Sequence, residues 1–98
     1  MDYKNQYQAT NITLAAPTTT VVATGNGVLH TITFNNPVAT GVVTIYNNTA
    51  ASGTKLATIT TPASPQPVTL TFDMAFGIGL TIVTATAAQD ITVSWAQG

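Results

Sequence analysis

Few side chains in this sequence are able to take part in acid–base or nucleophilic chemistry. His30 is the single imidazole, Asp73 and Asp90 are the carboxylates that follow it, and hydroxyls are abundant throughout. A hydrolytic triad needs a nucleophile, a base and an orienting carboxylate within hydrogen-bond reach, and no nucleophile-elbow pattern encloses any Ser. His30 falls on the apolar side of the alternation Val28, His30, Ile32, Phe34, which predicts a packed or interface histidine bonded to a neighbour; a small hydrolase using His30 is the weaker reading. Asp73 and Asp90 would serve as a glycosidase pair only if they faced each other about 5 to 10 Å apart. Both sit at the ends of predicted strands, where Asp commonly bonds turn backbone.

Cofactor chemistry has no better foothold. The chain has no Cys, so thiolate metal sites and disulfides are impossible. The three Asp residues are scattered, with no alternate-position Asp/Asn run before a Glu as a calcium loop requires. Gly25-Asn26-Gly27 and Gly77-Ile78-Gly79 neither open a helix nor sit beside a phosphate-binding Lys, and they read as turns or bulges. The triplets Asn11-Ile12-Thr13 and Asn47-Asn48-Thr49 match the glycosylation pattern at the frequency expected by chance in a Thr-rich chain. No cofactor and no metal are expected.

Charge is nearly absent: Asp2, Lys4, Lys55, Asp73 and Asp90 are the only ionic side chains among 98 residues, for a net charge of −1. A typical domain is about one-quarter charged, so the exterior here must be built from Thr, Asn, Gln and Ser. Such a surface hydrogen-bonds without repelling its neighbours. Nucleic acid is excluded as a partner, because phosphates need clustered Lys or Arg. An electrostatically anchored membrane role fails for the same reason, and no apolar run approaches the roughly 20 residues of a membrane span. Met1 to Gln8 lacks the apolar core of a signal peptide, so the chain is expected to be made in the cytoplasm and to be mature as written.

The elements that position these residues are strands. Thr supplies 21 of the 98 residues, and β-branched side chains suit a pleated, half-buried surface better than a helix. Alternation is visible in Val68, Leu70, Phe72 against Thr69, Thr71, Asp73, and in Ile91, Val93, Trp95 against Thr92, Ser94. Turn signals then bound about eight strands, at 10–15, 18–24, 28–35, 41–47, 54–60, 67–73, 78–85 and 90–96. This predicts an all-β, single-domain antiparallel β-sandwich, jelly-roll-like, over residues 10–98. The Thr61 to Pro67 segment is a loop within it, since neither flank could hold its own core. Residues 1–9 read as a flexible N-terminal arm. Its Tyr3, Lys4, Tyr7 and Gln8 are the candidate protein-interface residues, because tyrosines give contact area at low entropy cost. Trp95 and Phe72 belong to apolar faces and are expected in the core.

Five Thr-x-Thr pairs (Thr18/Thr20, Thr31/Thr33, Thr58/Thr60, Thr69/Thr71 and Thr84/Thr86) resemble the ice-binding faces of antifreeze solenoids. Their irregular spacing argues against a stacked repeat. A different resemblance is carried by Gly27-Val-Leu-His-Thr-Ile-Thr33, Gly41-Val-Val-Thr-Ile-Tyr46, Leu56-Ala-Thr-Ile59, Pro67-Val-Thr-Leu-Thr-Phe-Asp73, Phe76-Gly-Ile-Gly-Leu80 and Asp90-Ile-Thr-Val-Ser-Trp95. Spanning Gly27 to Trp95, this pattern of strand and turn residues resembles small structural proteins of tailed bacteriophages. The resemblance implies a β-sandwich module of the capsid decoration or cement type, standing as a homotrimer on the virion surface and clamping neighbouring subunits of the major capsid protein. It implies no enzyme activity. The charge-poor composition agrees, because β edges are normally guarded by Lys, Glu or Pro and this chain has few such guards. Its edges are therefore expected to be used or covered in a closed ring. A carbohydrate-binding or adhesion module of a tail or fibre, using Tyr46 or loop Asn residues, is the competing expectation.

Overall fold

A computed structural model describes residues 7–13 and 15–98. They form eight strands: β1 (Gln8–Ile12), β2 (Thr18–Thr24), β3 (Gly27–Phe34), β4 (Val42–Asn47), β5 (Thr54–Thr60), β6 (Val68–Phe76), β7 (Gly79–Ala85) and β8 (Ile91–Gln97). Two four-stranded antiparallel sheets result, one ordered β1-β8-β3-β6 and the other β2-β7-β4-β5. First pairs with last, second with seventh, third with sixth and fourth with fifth, which is one long hairpin wound into a jelly roll. No helix among the described residues is long and apolar enough to cross a membrane.

Alternation buries one face of each sheet against the other. Leu29, Ile32, Phe34, Val93 and Trp95 from the first sheet meet Val43, Ile45, Leu80 and Ile82 from the second, each at most 8% exposed. Trp95 is a core residue as expected, and its indole Nε1 donates to Thr10 Oγ1 at 3.1 Å, so its one polar atom is satisfied on burial. Two inward hydroxyls are not: Thr20 Oγ1 and Thr84 Oγ1 have no partner among the described residues.

Strand bounds agree with the sequence expectation to within a few residues, with two informative differences. β1 begins at Gln8, where the arm was expected to run to residue 9: Gln8 faces Trp95 and Ala9 faces Ser94 on β8. Neither residue carries a strand pattern of its own, and the partner strand supplies it. Residues 1–6 of the expected arm, with Tyr3 and Lys4, lie outside the described residues. The second difference is the phase of β3. Leu29 and Ile32 are both fully buried while His30 and Thr31 are only partly so, because β3 carries one more residue than β8 between the pairs Leu29↔Trp95 and Thr31↔Ser94. That β-bulge turns His30 outward, and the expected inward row Val28, His30, Ile32, Phe34 is corrected to Leu29, Ile32, Phe34.

Bulges also mark the edges. The extra residue is Val22 on β2, Leu56 on β5 and one of Phe72 and Asp73 on β6. All three are edge strands, and a bulge twists an edge and interrupts its ladder, which discourages pairing with a further strand. Edge protection in this chain is therefore geometric where most proteins use charge.

Candidate functional site: the outer face of the β1-β8-β3-β6 sheet

The chemistry-bearing residues of the sequence gather on one surface. Among the described residues no cavity or cleft opens, and the site is an open sheet face. Register places Asn11, Thr92, Thr33 and Thr69 in one row across β1, β8, β3 and β6, and Ala9, Ser94, Thr31 and Thr71 in the next. Six hydroxyls thus stand in two rows of three, on strands about 4.8 Å apart. Three Thr-x-Thr or Thr-x-Ser segments that are irregularly spaced in sequence become neighbours in space. Thr33 and Thr69 share a hydrogen bond across strands at 2.9 Å. No interaction with a protein group occupies the hydroxyls of Thr31, Thr71 or Ser94 among the described residues.

At one end of the grid sits an amide and carboxylate cluster. Asn11 and Asn35 donate through Nδ2 to Asp90 Oδ1 at 2.9 and 3.1 Å, and Asn35 also donates to Thr92 Oγ1 at 3.0 Å. These two amides, Asn11 foremost, hold the Asp90 carboxyl below the usual carboxylate range; desolvation opposes them weakly. Asp90 is thus part of a polar network, while the other carboxylate, Asp73, is bound elsewhere.

The opposite end carries Asp73, His30 and Tyr7. Asp73 has φ +50° within the β6 bulge, a left-handed conformation that Asp tolerates better than most residues. His30 Nδ1 donates to Asp73 Oδ1 at 2.5 Å, and the Tyr7 ring stacks on the imidazole at a centroid distance of 4.1 Å and an interplanar angle of 13°. Tyr7 precedes the edge strand β1, and its ring reaches across β8 to His30 on β3. The base and carboxylate of a triad are therefore joined, yet no hydroxyl bonds the remaining His30 nitrogen among the described residues. Among those residues, no group of three His, Cys, Asp or Glu gathers to hold a metal.

The predicted interface residues separate accordingly. Tyr7 is 53% exposed and stacks on His30 at this face; Gln8 is exposed on β1. Sequence reading missed Thr31, Thr33, Thr69, Thr71, Thr92 and Ser94 as a set, because their adjacency depends on the sheet order. Comparison with protein-family models, with curated proteins and with solved structures finds no match to this chain.

Proposed function

We propose that this chain is a virion structural protein, a capsid decoration or cement protein that binds the lattice of the major capsid protein as a homotrimer and stabilises the head. One observation carries the reading: a broad sheet face presents six in-register hydroxyls, with its ionic groups, Asp90 and the His30–Asp73 pair, confined to the two ends of the grid and Tyr7 stacked on His30 at its border. A surface of that kind hydrogen-bonds to a shell without charge repulsion, and its small contributions multiply when the same contact repeats over a lattice. Jelly rolls serve viral capsids and lectins alike, so the fold supports the proposal by analogy and the face supports it by chemistry. Binding only the assembled lattice stabilises it by mass action.

A carbohydrate-binding or adhesion role is the second reading, favoured by the Asn11, Asp90 and Asn35 cluster, whose group types suit sugar hydroxyls. The two are separated by measuring the full chain and a chain beginning at Tyr7 on assembled phage capsids and on a glycan array. The cement role predicts saturable capsid binding that weakens when residues 1–6 are removed, with no glycan selectivity. Selective glycan binding with no capsid occupancy would refute it in favour of the adhesin.

A further inference from the structure

We infer that the outer face of the second sheet, β2-β7-β4-β5, is the surface on which copies of this chain associate with one another. The inference rests on the assembly proposed above and names the face that makes it. Register and alternation place Val21, Thr81, Tyr46 and Lys55 in one outward row, Thr19, Val83, Thr44 and Thr58 in the next, and Ala85, Val42 and Thr60 beyond. Thr81 is itself covered, its hydroxyl donating to Asn48 O at 2.7 Å. Val21, Val42, Val83 and Tyr46 form an apolar band across the three strands β2, β7 and β4, and Val21 is 48% exposed. Lys55 stands on the edge strand β5, at the rim. An apolar centre containing Tyr, depleted of charge, with a polar rim is the composition of subunit interfaces.

Magnitudes favour this face over the alternatives. The molecule measures 41 × 28 × 19 Å, so a broad side offers about 1,100 Å² by the product of the two longer extents, above the roughly 800 Å² per partner of a stable interface. An end of the sandwich, 28 × 19 Å, offers about 500 Å² and falls short of that figure. Edge pairing is obstructed by the bulges at Val22, at Leu56 and beside Asp73. Of the two broad sides, the first sheet presents hydroxyls, amides and both described carboxylates, whereas the second presents three Val and a Tyr among the hydroxyls of Thr19, Thr44, Thr58 and Thr60, with Lys55 at its edge. The occupant that fits an uncharged, apolar, hydroxyl-flanked band is a second copy of this chain, which in a ring of three meets the band with its flank, because a band packed on itself closes a two-fold pair.

The test is sedimentation velocity of the full chain over a wide concentration range, with Val21→Asp on the second sheet and Thr71→Asp on the first. Wild type and Thr71→Asp are expected to associate alike, and Val21→Asp to self-associate on the order of 30-fold more weakly, as an unpaired charge inside an interface does. Because the chain has no Cys, the single variants Thr19→Cys and Thr71→Cys report each face independently of the folding of Val21→Asp. Maleimide labelling of the Thr19→Cys variant is expected to slow as concentration rises, while labelling of the Thr71→Cys variant does not. A wild type that stays monomeric overturns both the inference and the proposed homotrimer. Assembly that survives Val21→Asp and protects the thiol at position 71 in place of the one at position 19 overturns the inference alone.

Discussion

Gly41 and Gln89 should be energetically coupled, so that Gly41→Ala is costly in the wild type and close to neutral once the Gln89 side chain is removed. The Gln89 side chain is 2% exposed, and its carboxamide brackets one residue of the β3–β4 loop: Oε1 accepts from Val38 N at 2.9 Å and Nε2 donates to Val38 O at 2.9 Å. Gly41 lies against that amide. A Cβ at position 41 would stand 2.2 Å from Gln89 Nε2 and 3.2 Å from Ala87 Cβ, so Gly41→Ala must expel the carboxamide. Two hydrogen bonds are then lost, at about 1 kcal/mol net each, and the Val38 N–H is left unpaired at about 1 kcal/mol or more. Val38 O keeps its bond from Thr61 Oγ1 at 2.6 Å. The expected cost is about 2 to 4 kcal/mol, a fall in Tm of roughly 8 to 16 °C at the low end of that range for a domain of this size.

In a Gln89→Ala background the clashing nitrogen is gone and the only tight neighbour is Ala87. Gly41 is not among the glycines with positive φ, so alanine there restricts the unfolded chain without backbone strain, which stabilises by about 0.4 to 1 kcal/mol. Gly41→Ala should be close to neutral in that background. Urea unfolding of wild type, both single variants and the double variant closes the cycle, with an interaction energy of about 2 kcal/mol or more expected. Additivity within about 0.5 kcal/mol would show that the carboxamide does not hold the loop as described.

Two further outcomes are expected. Asp90→Asn should destabilise the protein near neutral pH and much less in acid: the carboxyl binds its proton less readily folded than unfolded, so its stabilisation is present above the unfolded value of about 3.9 and lost as pH falls through the lower folded value. A difference between the two proteins that stayed constant in denaturation curves from about pH 6 down to about pH 2 would contradict the Asn11 and Asn35 bonding. Thr84→Val replaces a buried hydroxyl without a described partner by a methyl of similar size, and should raise stability by about 1 kcal/mol, read as a higher urea midpoint at unchanged slope; a lower midpoint would mean that the hydroxyl is satisfied.

The strands were legible because Thr, Val and Ile alternate between clear turn signals, and their bounds followed. The phase of β3 was not, since alternation assumes two residues per repeat and His30 is an inserted third. A trace of the insertion was present: Leu29 and Ile32 are apolar residues three apart inside a strand, a spacing no regular strand can bury on one face. The arm boundary failed for another reason. Gln8 and Ala9 have no strand propensity to read, and what orders them is β8, more than 80 residues away along the chain. The hydroxyl grid needs the same kind of knowledge twice over, because Thr92, Thr33 and Thr69 align only once β8, β3 and β6 are known to be neighbours.

Edge geometry changes what scarcity of charge means in this chain. From composition alone, strands without Lys or Glu guards point to edges that pair with neighbours. With a bulge on three of the four edge strands, lateral pairing is already discouraged, and the uncharged composition acts where the molecule is broad and its ladders are complete. The two broad faces differ in kind: hydroxyls, amides and the stacked Tyr7 and His30 on one side, an apolar band of Val21, Val42, Val83 and Tyr46 on the other. Polar groups bind a partner well only when each finds a mate, whereas an apolar band needs only exclusion of water. The first face is therefore the selective one, suited to a partner of fixed geometry such as a shell lattice, and the second suits association among copies of the chain.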